Sequence, residues 1–361
     1  MADEAGQRPR RRLGRWLGIG VGGVIFALMA SPAHWWAKPA SDAEGAPAPV
    51  AAAAVPADHA IWLRRRWLHE ARTDAEIAEL VRRVRAHGIT TLYPFVGPMK
   101  PGGRFGWRDG EAIREVDLAV ASAFFSRIHA EDPALLVLPW TGGLLERDVS
   151  LDDPAWRAAF VAQAVALTAA GADGVQVNIE PMPEATSGYL ELLRELRAGM
   201  GPGKRVSVAA YPPVTPLHPY ADVHWSLGFL REVCVAADDV SVMAYDTALP
   251  TEAAYRDLVG QWTGELARTF ADGRCGWRVG VPSYEDDKPW HRPEAETLRA
   301  ALDGVTAGIA GAPEGRAPLG AAVYASWTTD AAEWAAFDAW RGAASTDGGA
   351  VDPPVPVAAA D

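Results

Sequence analysis

Apolar and polar residues alternate most clearly over residues 171–181, G-A-D-G-V-Q-V-N-I-E-P. Val175, Val177 and Ile179 alternate with Gln176, Asn178 and Glu180, a period of two that predicts a strand with unlike faces. Helical patterns precede and follow it, which suggests a buried parallel strand in a βαβ setting. The same alternation of strand and helix runs through the chain. Strands are expected over 61–67, 89–95, 134–140, 171–181, 205–211, 239–245, 277–282 and 319–327. Helices are expected over 73–87, 117–130, 153–170, 186–198, within 212–235, and over 251–270, 293–305 and 330–340. Thr73 is a candidate N-cap, Gly88 ends its helix, and Pro154 suits a first helical turn. The Gly- and Pro-rich stretch 96–115 reads as a long loop.

Eight strand–helix units over about 280 residues match a (β/α)8 TIM barrel. A doubly wound open sheet is the alternative, but no Gly-rich phosphate loop follows the first strand. One feature fits badly: Arg64, Arg65 and Arg66 fall in the first strand, where a barrel wants apolar side chains.

Both ends of the chain differ in character from this body. Five arginines between Arg8 and Arg15 precede an apolar run from Trp16 to Ala30, then Ser31-Pro32-Ala33. Residues 1–37 therefore read as a secretory signal or a membrane anchor, with Trp35 and Trp36 as interfacial residues in the second reading. In either reading the body, residues 58–344, is exported. Residues 38–57 are a Pro/Ala-rich linker and 345–361 a disordered tail. The 361-residue chain has a formal net charge of −12, and the part beyond residue 33 carries −15. That balance argues against a nucleic-acid partner. Cys234 and Cys275 are the two cysteines. Both precede expected strands, the sixth and seventh, and an oxidising compartment permits a disulfide between them.

In a barrel, chemistry sits at the carboxyl ends of the strands. Those ends carry Trp67, Tyr93, Trp140, Glu180, Tyr211, Tyr245 with Asp246, Tyr284 and Trp327. Only the fourth and sixth supply an acid. An amide, an amide and a carboxyl pointing into a buried space are costly unless hydrogen-bonded or used. Glu180 is thus either a structural carboxylate held by an arginine or a working acid. The chain has 15 Trp, and Trp67, Trp107, Trp140, Trp225, Trp290 and Trp327 fall on this face or its loops. Aromatic faces stack on the C–H side of sugar rings, so a carboxylate ringed by them suits a saccharide; the alternative is that they pack the barrel mouth. No H-x-x-x-H or Asp/His cluster points to a metal, no G-x-S-x-G elbow to a serine nucleophile, and nothing implies a cofactor.

Residues 173–180, D-G-V-Q-V-N-I-E, resemble the D-G-x-D-x-D-x-E signature of glycoside hydrolase family 18, the chitinase-like barrels. Met243-Ala244-Tyr245-Asp246 resembles that family's M-x-Y-D, and Trp327 its sugar-platform tryptophan. Thr141-Gly142-Gly143 is a partial match to S-x-G-G, with Trp140 where serine stands. Gln176 and Asn178 replace two aspartates, and the N-x-E pattern is similar to that of glycoside hydrolase family 85. The resemblance implies that Glu180 is the acid/base of a substrate-assisted retaining mechanism on a glycan containing N-acetylhexosamine. It implies that Asn178 orients the acetamide, Tyr245 bonds its oxygen, and Asp246 binds a hydroxyl. Gln176 would support Asn178 within the substrate site, Trp327 would floor it, and Trp140, Tyr211, Tyr93 and Met243 would complete it. Asp173 would be structural. A non-catalytic glycan-binding protein on the same barrel is the rival reading, favoured by Gln176, Asn178 and the missing serine. An envelope scaffold is a third, supported by the linker alone.

Overall fold

The computed structural model describes residues 58–343 apart from 110–111, 185 and 221–222. The expected signal or anchor, linker and tail lie outside the described residues. Among these, no helix is long and apolar enough to cross a membrane.

A closed parallel barrel is formed by β1 (His59–Leu63), β2 (Ile89–Lys100), β5 (Leu136–Val137) continued by β6 (Trp140–Leu144), β7 (Gly174–Glu180), β8 (Arg205–Ala210), β9 (Asp239–Met243), β10 (Gly276–Pro282) and β11 (Gly320–Tyr324). Pairing of β1 with both β2 and β11 closes it. Between β2 and β5 stand β3 (Arg104–Asp109) and β4 (Ala112–Glu115), outside the barrel. Eight longer helices follow or intervene: α2 (Asp74–Ala86), α3 (Leu118–Glu131), α4 (Pro154–Ala169), α5 (Tyr189–Met200), α6 (Leu227–Ala236), α7 (Glu252–Thr269), α8 (Leu298–Ala310) and α9 (Ala331–Ala343). A short α1 (Arg66–His69) follows β1. Their starts are written in side chains. Thr73 forms a capping box with Glu76, and Asp117, Asp153, Ser226, Thr251 and Thr297 each accept a first-turn N–H.

On β7 the branched residues are buried as the alternation requires. Burying each of Val175, Val177 and Ile179 contributes about 1.5–3 kcal/mol. Gly174 lets β7 approach its neighbour: at φ +158° a Cβ there would lie 2.0 Å from the Arg205 carbonyl oxygen. Asp173, just ahead, accepts from the Val137 N–H at 2.8 Å and contacts His129 Nε2 at 2.9 Å, a structural role.

Four expectations are corrected. The first strand ends at Leu63, so Arg64, Arg65 and Arg66 lie beyond it, exposed, and Trp67 belongs to α1. Arg64 and Arg65 lie over the Trp327 and Trp107 rings, 5.4 and 5.7 Å from the centroids. The third strand is split and shifted, because Pro139 has no N–H for the ladder. Trp140 therefore begins β6, opposite Gln176, and Leu144 pairs with Glu180. The eighth strand stops at Tyr324, three residues before Trp327. Last, the supposed loop 96–115 is an antiparallel extension of β2 through β3 and β4. Gly97 permits it, since a Cβ there would meet the Gly106 carbonyl oxygen at 2.4 Å. Phe105 anchors it on Phe160, ring centroids 4.7 Å apart.

The barrel floor is polar. Arg278, on β10, is wholly buried. It reaches Asp58 Oδ2 at 2.6 Å, Asp239 Oδ1 at 3.1 Å, the Asp58 carbonyl oxygen at 3.0 Å and the Tyr93 hydroxyl at 3.4 Å. Burial alone would raise Asp58, but the adjacent guanidinium overrides it and holds the carboxyl below its usual range. For Asp239 burial prevails over Arg278 and the pKa is raised. A disulfide joins Cys234 and Cys275, with Cα atoms 5.3 Å apart, tying α6 to the entry of β10. Crosslinking a loop of this length is worth about 4 kcal/mol in the chain-entropy account.

Removing the guanidinium strands two acids. Arg278→Met is expected to cost about 3–5 kcal/mol in urea unfolding. A loss under about 1 kcal/mol would mean that these acids do not depend on it.

Candidate active site

The polar row of β7 points into the barrel, and its three members do different things. Gln176 is fully buried. Its Oε1 accepts from Trp62 Nε1 at 2.7 Å, and its Nε2 donates to Ser207 Oγ at 3.3 Å. Ser207 in turn donates to Asp239 Oδ1 at 2.6 Å. Gln176 therefore joins the floor network beneath Asn178, and its place within the substrate site is corrected, since it does not line the cleft. Tyr93 is corrected likewise: it is fully buried, with its hydroxyl 3.3 Å from Ser241 Oγ.

Asn178 stands one layer higher, opposite Gly142. Its Oδ1 is buried and has no hydrogen-bond partner among the described residues. Glu180 ends the strand. Burial is the largest influence on its carboxyl and raises the pKa; the Asp246 charge raises it further, while a hydrogen bond from Asn178 opposes both. The net result is an acid that holds its proton above the ordinary glutamate range.

Asn178 and Glu180 line a cleft of about 340 Å³ with Trp140, Met243, Tyr245, Asp246 and Tyr324. Beyond Met243 the chain turns sharply, with Asp246 at φ +61°. That left-handed conformation is uncommon for a residue with a side chain, and it turns the Asp246 carboxylate back toward the cleft. Tyr245 stacks on Tyr324, centroids 5.6 Å apart and planes 21° apart. Burial raises the Tyr245 hydroxyl well above its ordinary pKa, helped by Tyr324, Glu180 and Asp246, so it remains a donor. Trp140 packs on Phe95 at 4.4 Å. Asp246 accepts from the Tyr284 hydroxyl and lies 3.4 Å from His291 Nδ1.

Two expected residues stand outside this lining. Trp327 is beside it, 5.6 Å from the Tyr324 ring and under Arg64. Tyr211 packs edge-on against Trp225 at 5.9 Å, and its pKa is raised by burial and by the nearby Glu180 charge. Trp225 is buried, with Nε1 bonded to the Met182 carbonyl oxygen. Residues not foreseen include Tyr324, Arg147 and Asp148 on the lining, and His291 and Glu296 behind Asp246. The last turn of the eighth strand signals Tyr324, once that strand is ended before Ala325. Nothing in the spacing signals Glu296. A second cleft of about 430 Å³, lined by Met99, Lys100 and Trp107, shares Pro98, Arg147 and Asp148 with the first. The two form one groove, walled on one side by the β2–β4 extension.

Glu180 also affects stability. Its folded-state pKa is raised, so the unfolded chain releases this proton at lower pH than the folded chain. Glu180 thus weakens folding as the pH rises past the ordinary glutamate value, and not below it. Glu180→Gln is expected to melt above the wild type at about pH 7, with the gap closing at about pH 4. A gap independent of pH would show that the carboxyl is not perturbed.

No protein-family model and no curated protein matches the sequence. Solved structures do match its backbone. The spore cortex-lytic enzyme SleL of Bacillus cereus superposes with a TM-score of 0.54 at 11% identity, over 80% of this chain and 75% of that one. A candidate chitinase A from Streptomyces coelicolor gives 0.53 at 16% identity, over 80% and 98%. A fungal endo-β-N-acetylglucosaminidase of glycosyl hydrolase family 18 gives 0.52 at 13% identity, over 79% and 96%. At these identities the likeness concerns the backbone, and the fold it identifies is the chitinase-like (β/α)8 barrel.

Proposed function

We infer that the protein is an exported glycoside hydrolase acting on glycans with β-linked N-acetylhexosamine, by a substrate-assisted retaining route. The observation that carries this reading is the pairing on β7 of a proton-holding Glu180 with an unpartnered Asn178 Oδ1. A buried acceptor without a donor is costly. The amide N–H of a 2-acetamido group is a donor of the right kind, and it would bring the acetamide carbonyl beside the Tyr245 hydroxyl. Glu180 then protonates the glycosidic oxygen as the acetamide oxygen attacks the anomeric carbon. The bond to the leaving sugar breaks, and an oxazoline-type ring forms. Water opens that ring on the second step and gives its proton to Glu180, which restores the acid. Tyr324, Tyr245 and Trp140 supply the aromatic walls for the ring being cleaved.

The known activities of the structural neighbours support the substrate class, since a chitinase-type and an endo-β-N-acetylglucosaminidase barrel are among them. The Cys234–Cys275 bond supports export, because such bonds persist in oxidising compartments. The amino-terminal basic and apolar segment supports a signal or a tether at the membrane. Chitin-like, peptidoglycan and exopolysaccharide chains all fit the chemistry. The non-catalytic alternative rests on Asn178, which carries no charge to stabilise a cationic ring; the retained Glu180, whose pKa burial raises, speaks against it.

The full-length chain and Glu180→Gln are incubated with chito-oligosaccharides and with muropeptides. Wild-type product release, reduced by about 10²-fold or more in the variant, is the expected result. Binding without turnover by both proteins would sink the hydrolase reading for those glycans. Asn178→Asp adds a titrating neighbour to Glu180, so its pH–rate profile is expected to differ from the wild type in position or shape. An unchanged profile would put Asn178 outside the reacting site.

A further inference from the structure

His291 belongs to no motif, yet it closes the back of the site. It is wholly buried and stacks on the Tyr284 ring, centroids 4.1 Å apart. Its Nε2 lies 3.1 Å from the Tyr284 carbonyl oxygen. A carbonyl only accepts, so Nε2 carries a proton. Nδ1 then lies near two carboxylates, 3.4 Å from Asp246 Oδ1 and 3.3 Å from Glu296 Oε2, without a well-formed hydrogen bond to any group. In a neutral ring, the buried Nδ1 would turn a lone pair toward both acids. That arrangement is repulsive; a positive charge between them removes the repulsion.

Both carboxyl groups are held by hydrogen-bond donors. Glu296 is buried, and its oxygens accept the backbone N–H groups of Thr247 at 3.1 Å, Ala248 at 3.0 Å and Arg292 at 3.3 Å. The Asp246 oxygen that faces His291, Oδ1, also accepts from the Tyr284 hydroxyl. We propose that His291 is an imidazolium clamped between Glu296 and Asp246, a positioning residue that holds the Asp246 carboxylate in the cleft that Glu180 lines. Its charge state stands independently; its part in turnover rests on the glycosidase reading above.

The other groups around this imidazole agree with a cation there. Tyr284, Tyr245 and Tyr324 surround Asp246 and hold their protons. His218, whose Nε2 reaches the Thr247 carbonyl oxygen at 3.1 Å, is lowered to about 4, chiefly by burial, and so brings no competing charge. Burial also acts to lower His291, but its bonds to Asp246 and Glu296 outweigh that and raise it to about 9. The consequence reaches the acid. The Asp246 charge helps Glu180 keep its proton. Without the imidazolium, Asp246 is free to turn away from Glu180, and Glu180 then loses its proton at lower pH. A metal ion would satisfy the same gap, since the three ligand atoms lie within 4.8 Å of one another, and the test must separate the two.

The full-length chain is labelled with 15N-histidine, and its ring nitrogens are followed by NMR against pH, with His291→Gln identifying the signals. The proposal expects both His291 nitrogens protonated at about pH 7, with titration near 9. Asp246→Asn is expected to lower that titration by about one pH unit or more. In the turnover assay, His291→Gln is expected to lose about tenfold to a hundredfold in kcat/KM, with the basic limb moved about one unit toward acid. A neutral His291 at pH 7 overturns the proposal, as does an Asp246→Asn protein in which His291 titrates unchanged. Zinc or manganese retained in one-to-one ratio by the wild type and lost by His291→Gln overturns it in favour of a metal site. Reduced turnover with an unmoved pH profile overturns the positioning role. If the wild type cleaves no glycan, the hydrolase reading fails, and the NMR arms still decide the charge of His291. Should His291→Gln not fold, the wild-type and Asp246→Asn spectra decide it.

Discussion

The structure depends on one cation taken out of water at the base of the barrel. Arg278 is buried from all sides, and every direction its guanidinium points finds an acceptor: Asp58, Asp239, Tyr93 and Thr91. An isolated charge there would be prohibitive, and an ion pair alone would barely offset its own desolvation. What makes it tolerable is that the network continues upward. Asp239 takes the Ser207 hydroxyl, Ser207 takes the Gln176 amide, and Gln176 takes the Trp62 indole. Each link fixes a side chain on a different strand, so the interior is set by directional bonds where many barrels use interdigitated aliphatic layers. Gln176 lies two residues before Asn178 and four before Glu180 on the same face, so the network holds the strand that carries the chemistry.

Above that floor, polar atoms are left unmatched. Asn178 Oδ1 has no donor, and Glu180 keeps a proton because burial and the Asp246 charge both oppose ionisation. The contrast between Gln176, bonded through both ends of its amide, and Asn178, whose oxygen has no donor, is a physical boundary between support and site. It separates Gln176 from Asn178, although the two differ by one CH2 group and share a face of one strand.

Periodicity made the barrel legible, because parallel strands buried on both faces and capped amphipathic helices leave strong local signals. Val175, Val177 and Ile179 announce β7, and Thr73 with Glu76 announces α2. Motif chemistry made Glu180, Asn178, Tyr245 and Asp246 legible as a group. What stayed hidden depended on contacts between distant segments. Three arginines beside an apolar run looked like an intrusion into the barrel, whereas they follow its first strand; the arginine that does enter, Arg278, sits in an ordinary-looking strand. Trp327 and Trp140 were placed by assumed strand ends, and a shift of a few residues moved Trp327 off the lining. The β3–β4 pair was masked by its glycines and prolines, although Met99 and Phe105 flanking Gly102-Gly103 are a hairpin signal. Glu296 is far from Asp246 in sequence, and only folding joins them.

The extension formed by β2, β3 and β4 has an implication for how such a protein diversifies. It is attached to the barrel by the continuation of a single strand, and its outer strand pairs with nothing further in the sheet. Its anchor is Phe105 on Phe160, away from the floor network. Changes of length or composition between Lys100 and Glu115 therefore reshape the groove without disturbing Arg278, Gln176 or Glu180. The groove can therefore change in reach while Glu180 and the layer beneath it stay as they are, because its wall is built from a different part of the chain.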